Sequence, residues 1–145
     1  MGTASNVDHL NSFLRGEISA VETYRMALDK LDATNPARAH LESCLQSHAE
    51  RVVVLRDAII QLGGNPAEGS GAWGAFAKAV EGGGKIFGDK GAIAALEEGE
   101  DHGLADYRRD LDDLDASARR LVESRLLPQQ IQTHRTMSQL KKTMQ

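Results

Sequence analysis

Gly16-Glu17-Ile18-Ser19-Ala20-Val21-Glu22-Thr23-Tyr24-Arg25-Met26-Ala27-Leu28 and Gly99-Glu100-Asp101-His102-Gly103-Leu104-Ala105-Asp106-Tyr107-Arg108-Arg109-Asp110-Leu111 are two versions of one pattern. Gly, Glu, Tyr, Arg and Leu recur at the same offsets, and Val21 matches Leu104. Helical patterning accounts only for the apolar matches. The shared Gly-Glu and Tyr-Arg pairs point further, to a duplicated helical hairpin. Each copy is followed by a second helix with a histidine on its apolar stripe.

Outward from these stretches, steps of three and four residues trace the inward stripe of each helix. The first helix reads Val7, Leu10, Leu14, Glu17, Val21, Tyr24, Leu28, Leu31. The second reads Leu41, Leu45, His48, Val52, Leu55, Ile59, Leu62. The third reads Ile93, Glu97, Glu100, Leu104, Tyr107, Leu111, Leu114. In the fourth, Leu127, Ile131 and His134 share a face. Every long helix thus carries an ionisable side chain on its apolar face. Burying an unpaired charge is costly, so these groups should pair or hold a metal. Antiparallel pairing puts His48 about one helical turn from the level of Glu17, and His134 close to that of Glu97 and Glu100. The expected metal ligands are Glu17, His48, Glu97, Glu100 and His134. Carboxylate and imidazole donors suit iron, manganese or zinc. The alternative is a metal-free core of hydrogen-bonded pairs, Glu17 with His48 and Glu100 with His134, with Tyr24 and Tyr107 as donors to neighbouring carboxylates.

Proline and glycine divide the chain. Ser5 or Asn6 can cap a first helix from about Val7 to Leu31. Asn35-Pro36 opens a second, which Gly63-Gly64-Asn65-Pro66 closes. A short amphipathic helix is expected near Ala72–Val80, carrying Trp73, Phe76 and Val80. A turn at Glu81-Gly82-Gly83-Gly84 follows. Asp89 can cap a third long helix. Asp115–Ser117 is a turn into a fourth, which Pro128 should kink or split. Short links make consecutive helices antiparallel, and the long middle connection is a crossover.

The 145 residues suit one domain, 1–145, and 41% hydrophobic with 26% charged residues is a globular composition. A formal net charge of -4 with no basic cluster argues against nucleic acid. No apolar run is long enough for a membrane span. Met1–Asn6 has no secretory pattern, and Cys44 is the only cysteine, so a reducing, cytoplasmic location is expected. Cys44 reads as a buried small hydrophobe. Gly82-Gly83-Gly84-Lys85 lacks phosphate-loop spacing. A homodimer through helix or crossover surfaces is also expected.

Leu10-Asn11-Ser12-Phe13-Leu14-Arg15-Gly16-Glu17, continuing to Tyr24, resembles the first helix of bacterioferritins and rubrerythrins. His48-Ala49-Glu50-Arg51 with Leu62-Gly63-Gly64-Asn65-Pro66 resembles the end of their second, and Gly99-Glu100 their third-helix carboxylate region. The whole chain is similar to a bacterial family of ferritin-like proteins. The resemblance implies an all-α, ferritin-like antiparallel four-helix bundle of two hairpins, with a crossover containing a short helix. It also implies a link to iron or oxidative stress. Ferritin-like di-iron sites use Glu-x-x-His on two helices. Here Leu45 and Ile131 stand three residues before His48 and His134, in place of those glutamates.

Overall fold

The computed structural model describes residues 3–71 and 74–143, and the backbone alone for residue 3 and residues 74–87. The described chain is all helical apart from its turns. Helix α1 spans Thr3–Lys30, α2 Arg38–Gln61 and α3 Gly74–Asp110; α4 spans Ala116–Leu121 and α5 Leu127–Thr143. A π-helical turn, Val122–Leu126, joins α4 and α5 into the fourth rod of the bundle. The four rods pack antiparallel, with α1 against α2 and α3, and α3 against α5.

Local chemistry explains the ends. At the close of α2, the Gly64 N–H bonds the Ile59 carbonyl and the Gly63 N–H bonds that of Ile60, with Gly63 at φ 79°. This is the glycine-dependent helix stop expected from the sequence. Asn35 accepts from the Ala37 N–H at 2.9 Å, ordering the turn into α2. Asp115 caps α4 by accepting from the Ala118 N–H.

Three expectations about punctuation are corrected. Asn6 lies inside α1 and caps nothing. Instead, its carboxamide is buried against Asp115, receiving the Asp115 N–H at 3.1 Å and donating to the carboxylate, and so ties the start of α1 to the start of α4. The backbone stays helical through Glu81–Gly84, and the crossover breaks at Gly88, where φ 68° and ψ −154° favour glycine. Pro128 neither kinks nor splits its helix at its own position. The strain falls one turn earlier, where the Leu127 N–H reaches back five residues to Val122. A proline ring collides with the carbonyl four residues before it, and the wide turn relieves that collision. Trp73 lies outside the described residues, as do the side chains of Phe76 and Val80.

The core has three tiers. One apolar cluster holds Ala27, Leu31, Leu41, Cys44, Ile93 and Met137. Another holds Leu10, Leu14, Leu55, Ile59, Val122 and Leu126. Between them lies a polar tier, with Glu17, His48, Arg51, Glu100, Gln130 and Thr133 all buried. The inward faces differ from the sequence reading on α3, where Glu97 and Leu104 are half-buried and Leu96 is buried, and on two further rods. On α2, Cys44 and Arg51 are buried, while Leu45 and Val52 are half-buried. In the fourth rod the buried line is Ala118, Val122, Leu126, Gln130, Thr133 and Met137; Leu127, Ile131 and His134 are half-buried. The π turn keeps the four-residue steps through Leu126 to Gln130 on one line, so the stripe is shifted by one residue.

Candidate functional site

The polar tier is built around His48. Its Nδ1 is 2.5 Å from Glu17 Oε1 and its Nε2 is 2.6 Å from Glu100 Oε2. A neutral imidazole has one N–H, so two carboxylate partners require both nitrogens to be protonated. With both carboxylates ionised, the site holds an imidazolium. The Tyr24 ring stacks on it, with centroids 5.3 Å apart.

Each carboxylate is served by the opposite repeat. Tyr24 of α1 donates to Glu100 Oε2 of α3 at 2.6 Å, and Tyr107 of α3 donates to Glu17 Oε2 of α1 at 2.6 Å. Glu100 Oε1 accepts from Gln130 Nε2 at 2.9 Å and from the Thr133 hydroxyl at 2.7 Å. Arg51, fully buried, donates to Glu17 Oε2 at 3.3 Å, to Thr133 at 3.0 Å, to the Ser47 hydroxyl at 3.2 Å and to Gln130 Oε1. Gly103 makes room for this arrangement. A Cβ there would come within 2.8 Å of Gln130 Nε2.

Two carboxylates face one imidazolium and one guanidinium, so the tier is electrically balanced. The ionisation preferences agree. Burial pushes Glu17 up, but Arg51, His48 and Tyr107 outweigh it and hold it below its ordinary value. Burial likewise raises Glu100, and His48, Tyr24 and Thr133 reverse the effect. Burial and Arg51 push His48 down, yet Glu100 and Glu17 win and raise it. Burial and the adjacent carboxylates keep both tyrosines neutral donors. Burial and then Glu100 push the Cys44 thiol up to about 12, so it is an inert packing group.

The five residues expected to ligate a metal fall into two places. Glu17, His48 and Glu100 meet in the core, but the carboxylates sit on opposite edges of the imidazole and do not converge on one point. Glu97 and His134 lie on the outer face between α3 and α5. There His134 Nε2 is 2.5 Å from Asp101 Oδ1, and Glu97 meets Ser138 and Lys141 at 3.3 Å each. Of the expected buried pairs, Glu17–His48 forms; Glu100 pairs with His48 rather than His134, because His134 faces away from the core.

Sequence reasoning missed Arg51, Thr133 and the outer role of Asp101. The signal for Arg51 was present. A three-residue step from His48 reaches it, whereas the four-residue step to Val52 follows the apolar choice. Thr133 carried no comparable signal, because its inward position depends on the π turn.

The crevice between α1 and α3 that reaches this tier passes Gly16, Ala20, Gly99 and Gly103 and measures about 40 Å³. That is room for water, far below an ordinary ligand pocket.

The family model described as "Domain of unknown function (DUF2383)" matches residues 5–113. The chain belongs to the DUF2383 family. The matched range carries Glu17, Tyr24, His48, Arg51, Glu100 and Tyr107, whereas Gln130, Thr133 and His134 lie beyond it. The DUF2383 match thus takes in both repeats and the histidine between them. No curated protein and no solved structure is significantly similar to the chain. Among the described residues of this DUF2383 domain, no helix is long and apolar enough to cross a membrane.

Proposed function

We propose that this chain is a helical module with a metal-independent core, one domain over residues 1–145, whose core charges set the alignment of its helices and whose outer surface does its work. The observation that carries this reading is His48, with both ring nitrogens occupied by carboxylates. A metal ligand needs a free nitrogen lone pair, and an imidazolium has none. Arg51 supplies the positive charge that an ion would otherwise bring. Balanced, hydrogen-bonded polar groups of this kind can specify one packing among several.

The ferritin-like resemblance fits as a relation of descent. The antiparallel bundle, the crossover and the core positions of Glu17, His48 and Glu100 support it, with the metal chemistry replaced by internal ion pairs. On this reading a link to iron storage or peroxide chemistry is not retained for the core. A cytoplasmic location fits the lone, buried Cys44. A homodimer is part of the proposal, with Val53 and Ile60, 58% and 59% exposed on α2, at its contact.

The test uses the Asp101→Asn protein, in which the outer carboxylate–histidine group is disabled. Its melting temperature is measured with chelator and with added Fe²⁺, Mn²⁺ or Zn²⁺. Equal values support a metal-independent core. A rise with any of these ions that disappears on His48→Gln overturns it.

A further inference from the structure

The outer face between α3 and α5 carries a second ionisable group, separate from the polar tier. Glu97 and Asp101 are four residues apart on α3, so they share one helical face. His134 reaches them from α5. One ligating atom from each of the three lies within 4.8 Å of the others. Zinc bonds of roughly 2.0–2.2 Å place neighbouring tetrahedral donors about 3.4 Å apart. The observed spacing accommodates one such ion with small side-chain adjustments.

The donors are partly preorganised. The Glu97 side chain is only 13% exposed and is held by Ser138 as well as Lys141. The His134 ring is 26% exposed, and its Nε2 already meets Asp101 at 2.5 Å, although the Asp101 side chain is 55% exposed. All three side chains stand on packed helices rather than loops, which favours a defined geometry. One imidazole nitrogen and two carboxylate oxygens form a borderline donor set with a fourth position left for water.

We propose that Glu97, Asp101 and His134 form a peripheral site for a single divalent transition cation, with Zn²⁺ the best match to the donors. The Lys141 ammonium now occupies Glu97 at 3.3 Å and competes with the cation. The site does not depend on the metal-independent reading of the core, because none of its ligands belongs to the polar tier.

The test is a Zn²⁺ titration of the chelator-stripped full chain against a chromophoric competitor, with Co²⁺ absorption as the geometric readout. One ion per chain is expected. Asp101→Asn and His134→Ala should each weaken binding about tenfold or more, and Lys141→Gln should strengthen it several-fold. His40→Ala removes an exposed histidine on α2, and Tyr24→Phe alters only the core; both should bind as the parent does. Circular dichroism confirms that each variant folds. The proposal fails if the parent binds no Zn²⁺. It also fails if Asp101→Asn and His134→Ala both bind as tightly as the parent, or if Tyr24→Phe or His40→Ala abolishes binding.

Discussion

The Tyr24 hydroxyl of the first repeat donates to Glu100 of the second at 2.6 Å, and Tyr107 returns the same bond to Glu17. The exchange follows from antiparallel packing. Each Tyr stands seven residues, about two turns, after its own Glu, so when α1 and α3 run in opposite directions each Tyr arrives beside the other helix's Glu. Replacing either by Phe removes one hydrogen bond to a buried carboxylate, at a cost of about 1.5–3 kcal/mol. Tyr24→Phe and Tyr107→Phe should therefore destabilise the protein to a similar degree in urea unfolding. A loss below about 0.5 kcal/mol in both would show that these bonds do not hold the tier together.

The balance of charge predicts strong non-additivity. Glu17→Leu leaves His48 and Arg51 facing Glu100 alone, and His48→Leu leaves two carboxylates facing Arg51. Each single change should cost about 3–5 kcal/mol, the scale for breaking a buried ion pair. The double variant restores balance, with Arg51 against Glu100. It should be about 1–3 kcal/mol more stable than the sum of the singles implies. A double-mutant cycle by denaturant unfolding measures this, and simple additivity would contradict the network.

Stability should peak in a window of pH. Glu17 and Glu100 are held below their ordinary value of 4.5, so their contribution is present above that pH and is lost as acid titrates them in the folded state. His48 is raised above its ordinary 6.5, so its contribution is complete below pH 6.5 and is lost as pH rises through its folded value. Both contributions are complete between these limits. Unfolding free energy measured from acid to alkaline pH should fall on either side of that window. In His48→Gln the alkaline fall should shrink; an unchanged alkaline limb would assign the titration to another group.

Gly103 offers a steric test. Alanine normally favours a helix interior over glycine by about 1 kcal/mol. Here the added Cβ would meet Gln130 Nε2 at 2.8 Å, and Gln130 is held by Glu100 and Arg51. Gly103→Ala should therefore destabilise the protein, and its cost should diminish in a Gln130→Ala background. Thermal melting of the four proteins checks it. Stabilisation by Gly103→Ala alone would mean that Gln130 moves freely.

The bundle was legible because its signals are local. The Glu17 and Glu100 repeats, the apolar periodicity and the Gly63-Gly64 stop each act within a few turns of chain. His48 was legible as a polar intruder on a hydrophobic stripe. The fourth helix was misread because its inward face depends on a π turn, and the collision that favours that turn is backbone geometry around Pro128 rather than a pattern of hydrophobicity.

The sequence by itself therefore determined that four helices form, where they pair, and that Glu17, Glu100 and His48 face inward, because helix period and caps are encoded along the chain. Only the tertiary structure decided what those groups do. It turned Arg51 into the core where Val52 fitted the apolar pattern. It crossed the two tyrosines between repeats and sent His134 outward to Asp101. Those outcomes depend on the rotation of each helix about its axis, and that rotation is settled when buried charges of both signs must find one another across the bundle.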